Sequence, residues 1–438
     1  MVAKGRGPEK MDQPSRWMAL LARFRPRRSA RLLAGLLAAI SAGLALSGCT
    51  RRWQLPTILY IAVGVNNDQT IDSELVRDVE DKLKQLEQGF QRLYPNTAFQ
   101  ISLYPEAEIV EAIRLRSNRG LGPDLALVSG STASQLLEQG LTDPFPASAE
   151  QLNALDPGDL RRIRVSGSNL VGLPLLVQAQ LSCFNRQKLP APPATVDELL
   201  AAAANGIPVG LPSTIENLFW TAGSLGALSG IEQASRNQTP SEQGKAGIQR
   251  WLSWLQNASY QQRVMFFSSQ KQAEDELMSG QLDWIPCRST ALPRLRRKLG
   301  DRLGVAPLPD GDTDTASPIV RLRVLALGKN SSGPGRQGAL AFSRYGLNPL
   351  TQRNITVGSA VYLPANRFVR VPVASSSVLA AMQTAGQQGR QANTVLNQIH
   401  IGDRRIGRMQ NLVNELVFGE VNPGPATDQM IRILREGR

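Results

Sequence analysis

The apolar residues of this chain fall into two alternating patterns. Residues 57–63 (TILYIAV) form a short run of apolar and β-branched side chains, the mark of a buried strand. Beyond a polar stretch, the apolar positions become Leu75, Val79, Leu83, Leu86, Phe90 and Leu93, with charges between them. That spacing predicts a long amphipathic helix, closed by Pro95-Asn96. Residues 98–103 alternate like a strand, 106–117 return to helical spacing, and 124–128 (DLALV) read as a third strand leading through Gly130-Ser131 into another helix. Strand and helix in strict alternation predict a parallel α/β sheet.

The second half repeats the theme less regularly. Residues 170–181 form one long extended segment broken by Pro174. Thr195-Val196-Asp197-Glu198 opens a helix as a capping box. Strands are expected at 207–211, 282–287, 304–307 and 320–327, with helices at 215–228, 244–257, 339–345 and 349–357. The tail from Ser376 is helical and polar, ending in segments 409–418 and 426–435. No repeat or low-complexity linker interrupts the chain, which therefore reads as two interleaved α/β lobes.

The N-terminus has a different pattern. Arg23, Arg25, Arg27, Arg28 and Arg31 precede an apolar run that ends in Leu46-Ser47-Gly48-Cys49. Charged, apolar and small-residue regions in that order are a secretory signal, and the last four residues resemble a bacterial lipobox. Residues 1–48 are thus expected to be a signal peptide, Cys49 the site of lipidation, and 49–56 a linker from a lipid anchor on the outer face of the cytoplasmic membrane. An ordinary signal peptide with an incidental cysteine is the other reading.

Charge narrows the partners. The formal net charge is +13, but nine basic and two acidic residues precede Cys49, so the remainder carries +6. Its basic residues are dispersed, which argues against a nucleic-acid surface; the densest group, Arg294, Arg296, Arg297 and Lys298, reads as the basic end of a solvated helix. An exported chain can join Cys183 to Cys287, although nothing in their spacing places them together. The single histidine, His400, argues against a histidine metal site. No metal and no cofactor is expected. Nucleophile elbow, Cys-x-x-Cys, His-Glu-x-x-His and phosphate-loop motifs are all missing, leaving a hydrolase with paired carboxylates as the one enzyme class still open.

Several segments together resemble the sugar-binding, maltose-binding-protein-like family of extracellular solute-binding proteins that serve ABC importers. They are Gly122-Pro123-Asp124 with its strand, Gly140-Leu141 before Asp143-Pro144-Phe145, Leu170-Val171-Gly172-Leu173-Pro174 through Phe184-Asn185-Arg186, Pro192-Pro193-Ala194-Thr195-Val196-Asp197-Glu198-Leu199, Leu277-Met278-Ser279-Gly280, Pro307-Leu308-Pro309-Asp310-Gly311, and Val361-Tyr362-Leu363-Pro364. The chain departs from the family where Cys183-Phe184 replaces paired tyrosines and Val196 replaces a tryptophan. The resemblance implies a two-lobed fold with a hinge: a first lobe over 57–173 rejoined by part of 320–375, a second over 174–319, and a helical segment over 376–438 packing on both. It also implies a monomer that captures a sugar, oligosaccharide or polyol and delivers it to a permease.

Candidate ligand contacts come from strand ends, because ligands of open α/β sheets sit beyond the carboxyl ends of the strands. Those loops hold Asn66, Asn67 and Asp68; Ser129 and Ser131; and Gln178 with Gln180. Trp220, Trp284 and Tyr362 are the aromatic candidates for the apolar face of a sugar. The resemblance places Gln178 at a polar contact and Arg288 near the edge of the second lobe's pocket. Each has a purely structural reading: a turn for Asn66–Asp68, a helix cap for Ser131, core for the tryptophans, a surface ion pair for Arg288. A small anion is the alternative ligand, held between the helix start at Ser129–Thr132 and Arg288.

Overall fold

The computed structural model describes residues 56–66, 71, 73–398 and 404–436. The expectations for Cys49, Asn67, Asp68 and His400 fall outside them. Pro56–Arg438 make one compact unit.

Strand β1 (Thr57–Val65) is buried at every position from Leu59 onward. It lies between β2 (Thr97–Pro105) and β3 (Leu125–Ser129), parallel to both. An unbroken apolar run is what a strand covered on both faces requires. Between β1 and β2 runs the Ser73–Gln91 helix, and between β2 and β3 the Ile109–Ser117 helix. After the Gly130–Glu138 helix come the two-residue β4 (Thr142–Asp143) and a small separate sheet of β5 (Phe145–Pro146), β6 (Arg164–Ser166) and β7 (Asn169–Leu170).

The long extended segment then divides at a single residue. β8 (Leu173–Gln178) belongs to the first sheet, and β9 (Gln180–Asn185) to the second. The crossing is therefore at Ala179, five residues later than the boundary of 173/174 that the resemblance implied. Pro174 stays inside β8, and the register shifts between Arg323 and Val324 of the neighbouring strand where it pairs; a residue without an N–H is accommodated by an irregular ladder. The second sheet adds β10 (Val209–Pro212), β11 (Val264–Phe267), β12 (Trp284–Arg288) and β13 (Leu303–Ala306), in the order β11-β10-β12-β9-β13. The chain returns as β14 (Arg321–Gly328) and β15 (Leu363–Pro364), completing the first sheet as β15-β8-β14-β3-β1-β2 with β4 on the end of β14.

Local chemistry starts the helices. Thr195 Oγ1 accepts the Glu198 N–H, while the Glu198 carboxylate accepts from Ala194 N–H, one residue before the cap. Ser241, Ser269 and Ser332 cap their helices through the N–H of Gly244, Gln272 and Gly335. The expected 215–228 helix is two: it stops at Ser224 and a second runs Leu228–Ser235. Gly311 is needed where the turn after β13 meets that first helix end, since a Cβ there would lie 1.7 Å from the Ser224 carbonyl oxygen.

One apolar core fills the first sheet and continues onto one face of the second, beneath the Gln270–Ser279 and Leu292–Leu299 helices. Another fills the opposite face of the second sheet, under the Ile215–Ser224, Glu242–Tyr260, Arg404–Val417 and Pro423–Arg435 helices. The Ser377–Gln398 helix contributes to both: Leu379, Met382 and Ala385 to the first, Ala392 and Val395 to the second.

Cys183 and Cys287 form a disulfide between β9 and β12, fully buried, with Cα atoms 5.7 Å apart. It closes a loop across a sequence separation of 104 residues. Replacing both cysteines by alanine is expected to cost about 2–5 kcal/mol, mainly by freeing the unfolded chain. The loss appears as a lower urea midpoint; an unchanged midpoint would show that the strand ladder alone sets the stability here.

Candidate functional site

The two sheets face each other end to end across the Ala179 crossing. From the first sheet come Asn66 after β1, Ser129 ending β3, Gln178 ending β8 and Arg321 opening β14. From the second come Gln180 opening β9 and Arg288 ending β12, with Glu216 and Asn217 in the first turn of the Ile215–Ser224 helix that follows β10. The crossing is held from the second sheet's side. Ala179 N–H donates to Ser289 Oγ at 3.2 Å, and Ser289 N–H donates to the Ala179 carbonyl at 2.8 Å.

At this junction Gln178, Gln180, Glu216, Asn217, Arg288 and Arg321 converge on a cavity of about 10 Å³, room for one water. A second cavity, about 660 Å³, opens beside it, bounded by Asn66, Gln178, Thr290, Arg323, Asn354 and Tyr362. That is within the range of small-molecule sites. Gln178 borders both. Its side chain is buried, and its Oε1 meets no hydrogen-bond donor among the described residues.

The ion pairs at the junction are internal. Arg321 Nη2 lies 2.5 Å from Glu216 Oε1, and its Nη1 donates to Asn66 Oδ1 at 3.2 Å, so one guanidinium ties the first sheet's loop to the second sheet's helix. Arg288 Nη2 donates to Asn217 Oδ1 at 3.3 Å. Crowding by protein atoms pushes the Glu216 carboxyl up, but Arg321 and then Arg288 outweigh it and hold the group below the usual carboxylate value. Its side chain still keeps 41% of its surface, so it stands on the floor of a cleft that opens to solvent.

A second pair lies deeper in the first lobe. Glu106 Oε2 accepts from Arg323 Nη1 at 2.8 Å, and its Oε1 accepts the Ser129 N–H at 2.8 Å. Arg323 also donates to the carbonyls of Leu127, at 2.9 Å, and Gly64. Burial raises the Glu106 carboxyl, yet Arg323, the Thr132 hydroxyl and the Ser129 amide together bring it below its ordinary value.

Several expected contacts take other roles. Trp220 and Trp284 do not reach either cavity. Both are fully buried in the second core, their rings 6.1 Å apart and Trp220 a further 6.5 Å from Trp254. The helical and strand positions they occupy point inward, and large apolar rings gain more from that core than from a wet cleft. Both amide atoms of Gln180 are engaged, with Nε2 donating to the Asn217 carbonyl at 2.9 Å and Oε1 accepting from Ile319 N–H at 3.3 Å, so it braces the crossing. The cap of the Gly130–Glu138 helix is Ser129, which accepts the Thr132 N–H at 3.1 Å; the Ser131 hydroxyl only meets Ser129 Oγ at 2.8 Å. Asn66, Gln178, Arg288 and Tyr362 do border the cavities. Sequence reasoning missed Glu216, Asn217, Arg321, Arg323 and Glu106. The signal for two of them was present: Arg321 and Arg323 are charges two residues apart in an otherwise apolar strand, a period that sends both to one face.

A sequence profile described as bacterial extracellular solute-binding protein matches residues 87–381. The chain belongs to that family. It is a binding protein, not an enzyme, and an exported one. No curated protein sequence matches it. Among solved structures, the GacH receptor of Streptomyces glaucescens is similar with a TM-score of 0.68 at 16% identity, covering 88% of this chain and 100% of that one. The maltose-maltodextrin binding protein of Alicyclobacillus acidocaldarius gives 0.66 at 13% identity, covering 87% and 100%. Maltodextrin binding protein MalE1 of L. casei BL23 gives 0.63 at 16%, covering 88% and 100%. At such identities the likeness establishes the fold: two lobes of the periplasmic-binding-protein kind.

The Glu106–Arg323 pair makes stability depend on acid. A carboxylate held below its ordinary value of about 4.3 contributes stability that is present above that value and is lost as pH falls through the lower folded one. Glu106→Gln leaves Arg323 buried without its counterion, expected to cost about 3–5 kcal/mol near neutrality. Thermal melts against pH should show the gap between wild type and variant narrowing below about pH 4. A constant gap at all pH values would show that the carboxylate's charge is irrelevant.

Proposed function

We propose that this chain is a lipid-anchored receptor that captures a neutral sugar, oligosaccharide or polyol between its lobes and delivers it to an ABC-type permease. One observation carries the reading: Gln178, at the crossing, borders both cavities and carries a buried carbonyl oxygen that meets no donor among the described residues. A buried acceptor without a donor costs free energy, and a ligand hydroxyl there would remove the cost. Asn66, Thr290 and Asn354 offer uncharged polar groups around the larger cavity, and Tyr362, which borders it along with Tyr345, replaces the tryptophans as a face for sugar C–H groups.

Relatives in fold support the ligand class. The Streptomyces glaucescens receptor has been solved in complex with acarbose, a T. maritima MalE3 with maltose, and a Thermotoga lettingae solute-binding protein with α-D-tagatose. In this reading the two sheets are the lobes, the backbone at 178–180 and 307–320 is the hinge, and ligand draws the lobes together. Cys49 carries the anchor that keeps the receptor beside its permease.

A thermal-shift screen of malto-oligosaccharides, monosaccharides and polyols tests the ligand class, because a ligand at 100 times its dissociation constant stabilises by about 2.7 kcal/mol. For the best hit, Gln178→Leu is expected to weaken binding about three- to tenfold and Tyr362→Ala about tenfold in titration calorimetry. Small-angle scattering should show a smaller radius of gyration with ligand bound. No stabilisation by any neutral sugar or polyol would sink the proposal.

The anchor is tested separately. Radioactive palmitate fed to expressing cells should label the wild type and not Cys49→Ser; equal labelling of both would remove the anchor from the account.

A further inference from the structure

Two features, one in the first lobe and one at the lobe junction, are suited to anions, and the protein already fills both. The first is the N-terminus of the Gly130–Glu138 helix, where backbone N–H groups and the helix dipole favour negative charge. The carboxylate there is Glu106, which accepts the Ser129 N–H at 2.8 Å while pairing with Arg323. The second is the arginine pair at the lobe junction, Arg288 and Arg321. The carboxylate there is Glu216, 2.5 Å from Arg321, with Arg288 close enough to help hold it ionised. Among the described residues, no other acidic side chain borders the small junction cavity.

We infer that Glu216 is a specificity-determining residue: a built-in anion that occupies the arginine pair and so excludes anionic solutes from the cleft. The inference rests on the proposal that the cleft is the solute site and sharpens it from "small solute" to "uncharged solute". An incoming carboxylate or phosphate finds Arg321 already paired with Glu216. It must displace a carboxylate tethered in place, which competes at high effective concentration, or suffer like-charge repulsion beside it. A neutral polyol meets neither obstacle and finds acceptors and donors on Gln178 and Asn66. Selectivity of this kind comes from an element that rejects the wrong partner as well as from contacts to the right one. Glu106 does the same at the helix start, but its burial beside Arg323 makes it part of the fold, so Glu216 is the residue to test.

The experiment is titration of the full chain with inorganic phosphate and, separately, with glucuronate, in wild type, Glu216→Gln and the double variant Glu216→Gln/Arg321→Gln, each checked by thermal melt. Wild type should bind neither probe saturably at millimolar concentration. Glu216→Gln uncovers charge-assisted donors and should gain about tenfold to a hundredfold in affinity for both probes, weakening as salt is added. The double variant should lose most of that gain. Glu216→Ala repeats the arm if the glutamine variant does not fold. Stoichiometric binding of either anion by the wild type overturns the inference, as does a folded Glu216→Gln or Glu216→Ala that gains nothing. If no sugar binds wild type, the proposed function fails on its own terms, while the phosphate titration of the variants still decides the role of Glu216.

Discussion

The structure depends on how little chain separates its two sheets. β8 ends at Gln178 and β9 begins at Gln180, so at this crossing a single residue, Ala179, carries the backbone from one lobe to the other. Its two hydrogen bonds to Ser289 fix that residue against the end of β12. Side chains of a strand alternate faces, so pinning Ala179 also decides where its neighbours point. Val177 turns into the first core, and Gln178 turns to the junction. The disulfide between β9 and β12 reinforces the same place, because Cys287 stands two residues before Ser289 and Cys183 three residues after Gln180. The scaffold is stiffest in sequence terms where the site requires its groups to be placed.

The charges at the junction follow from that geometry. Arg321 enters β14 opposite Gln178 and cannot retreat into the apolar core, so it must find partners in the cleft. It takes one from each lobe, Asn66 and Glu216. The contact pays twice, satisfying a guanidinium and giving the two lobes a direct tie. Arg323, two residues on and facing the same way, is too deep for solvent and needs a full set of internal acceptors, which Glu106 and the carbonyls of Gly64 and Leu127 supply. One strand thus carries a half-buried ion pair and a buried one. The difference is depth alone.

Much of this was legible in the sequence. Periodicity was enough for β1, for the helix of residues 73–91 and for the α/β alternation, because those signals are local and strong. The capped starts were legible at Thr195, where hydroxyl and glutamate spacing is short range. The split at Ala179 was not: residues 170–181 read as one extended segment, and which half joins which sheet is decided by strand pairings about a hundred or more residues away. The same holds for Cys183 with Cys287 and for Glu216 with Arg321. Strand-end reasoning named Asn66 and Gln178, and the resemblance named Arg288; all three border the cavities. The tryptophans lie in the core instead, because aromatic residues serve a core and a sugar face equally well and nothing local distinguishes them.

That failure changes the account of recognition. Trp220, Trp251 and Trp284 all lie in the second core with no surface exposed, where they replace the bulk that several smaller residues would otherwise provide. In the proposed reading, with the tryptophans committed to packing, recognition rests mainly on hydrogen bonds and shape, with Tyr362 as a smaller aromatic face. Hydrogen bonds to uncharged groups contribute modestly each but discriminate strongly, because a buried acceptor such as Gln178 Oε1 is left unsatisfied by any ligand that lacks the matching hydroxyl. The balance therefore shifts from affinity toward selectivity. In the proposed reading Glu216 turns charged solutes away, Gln178 turns away solutes with no hydroxyl to offer it, and the polyhydroxylated class meets both conditions.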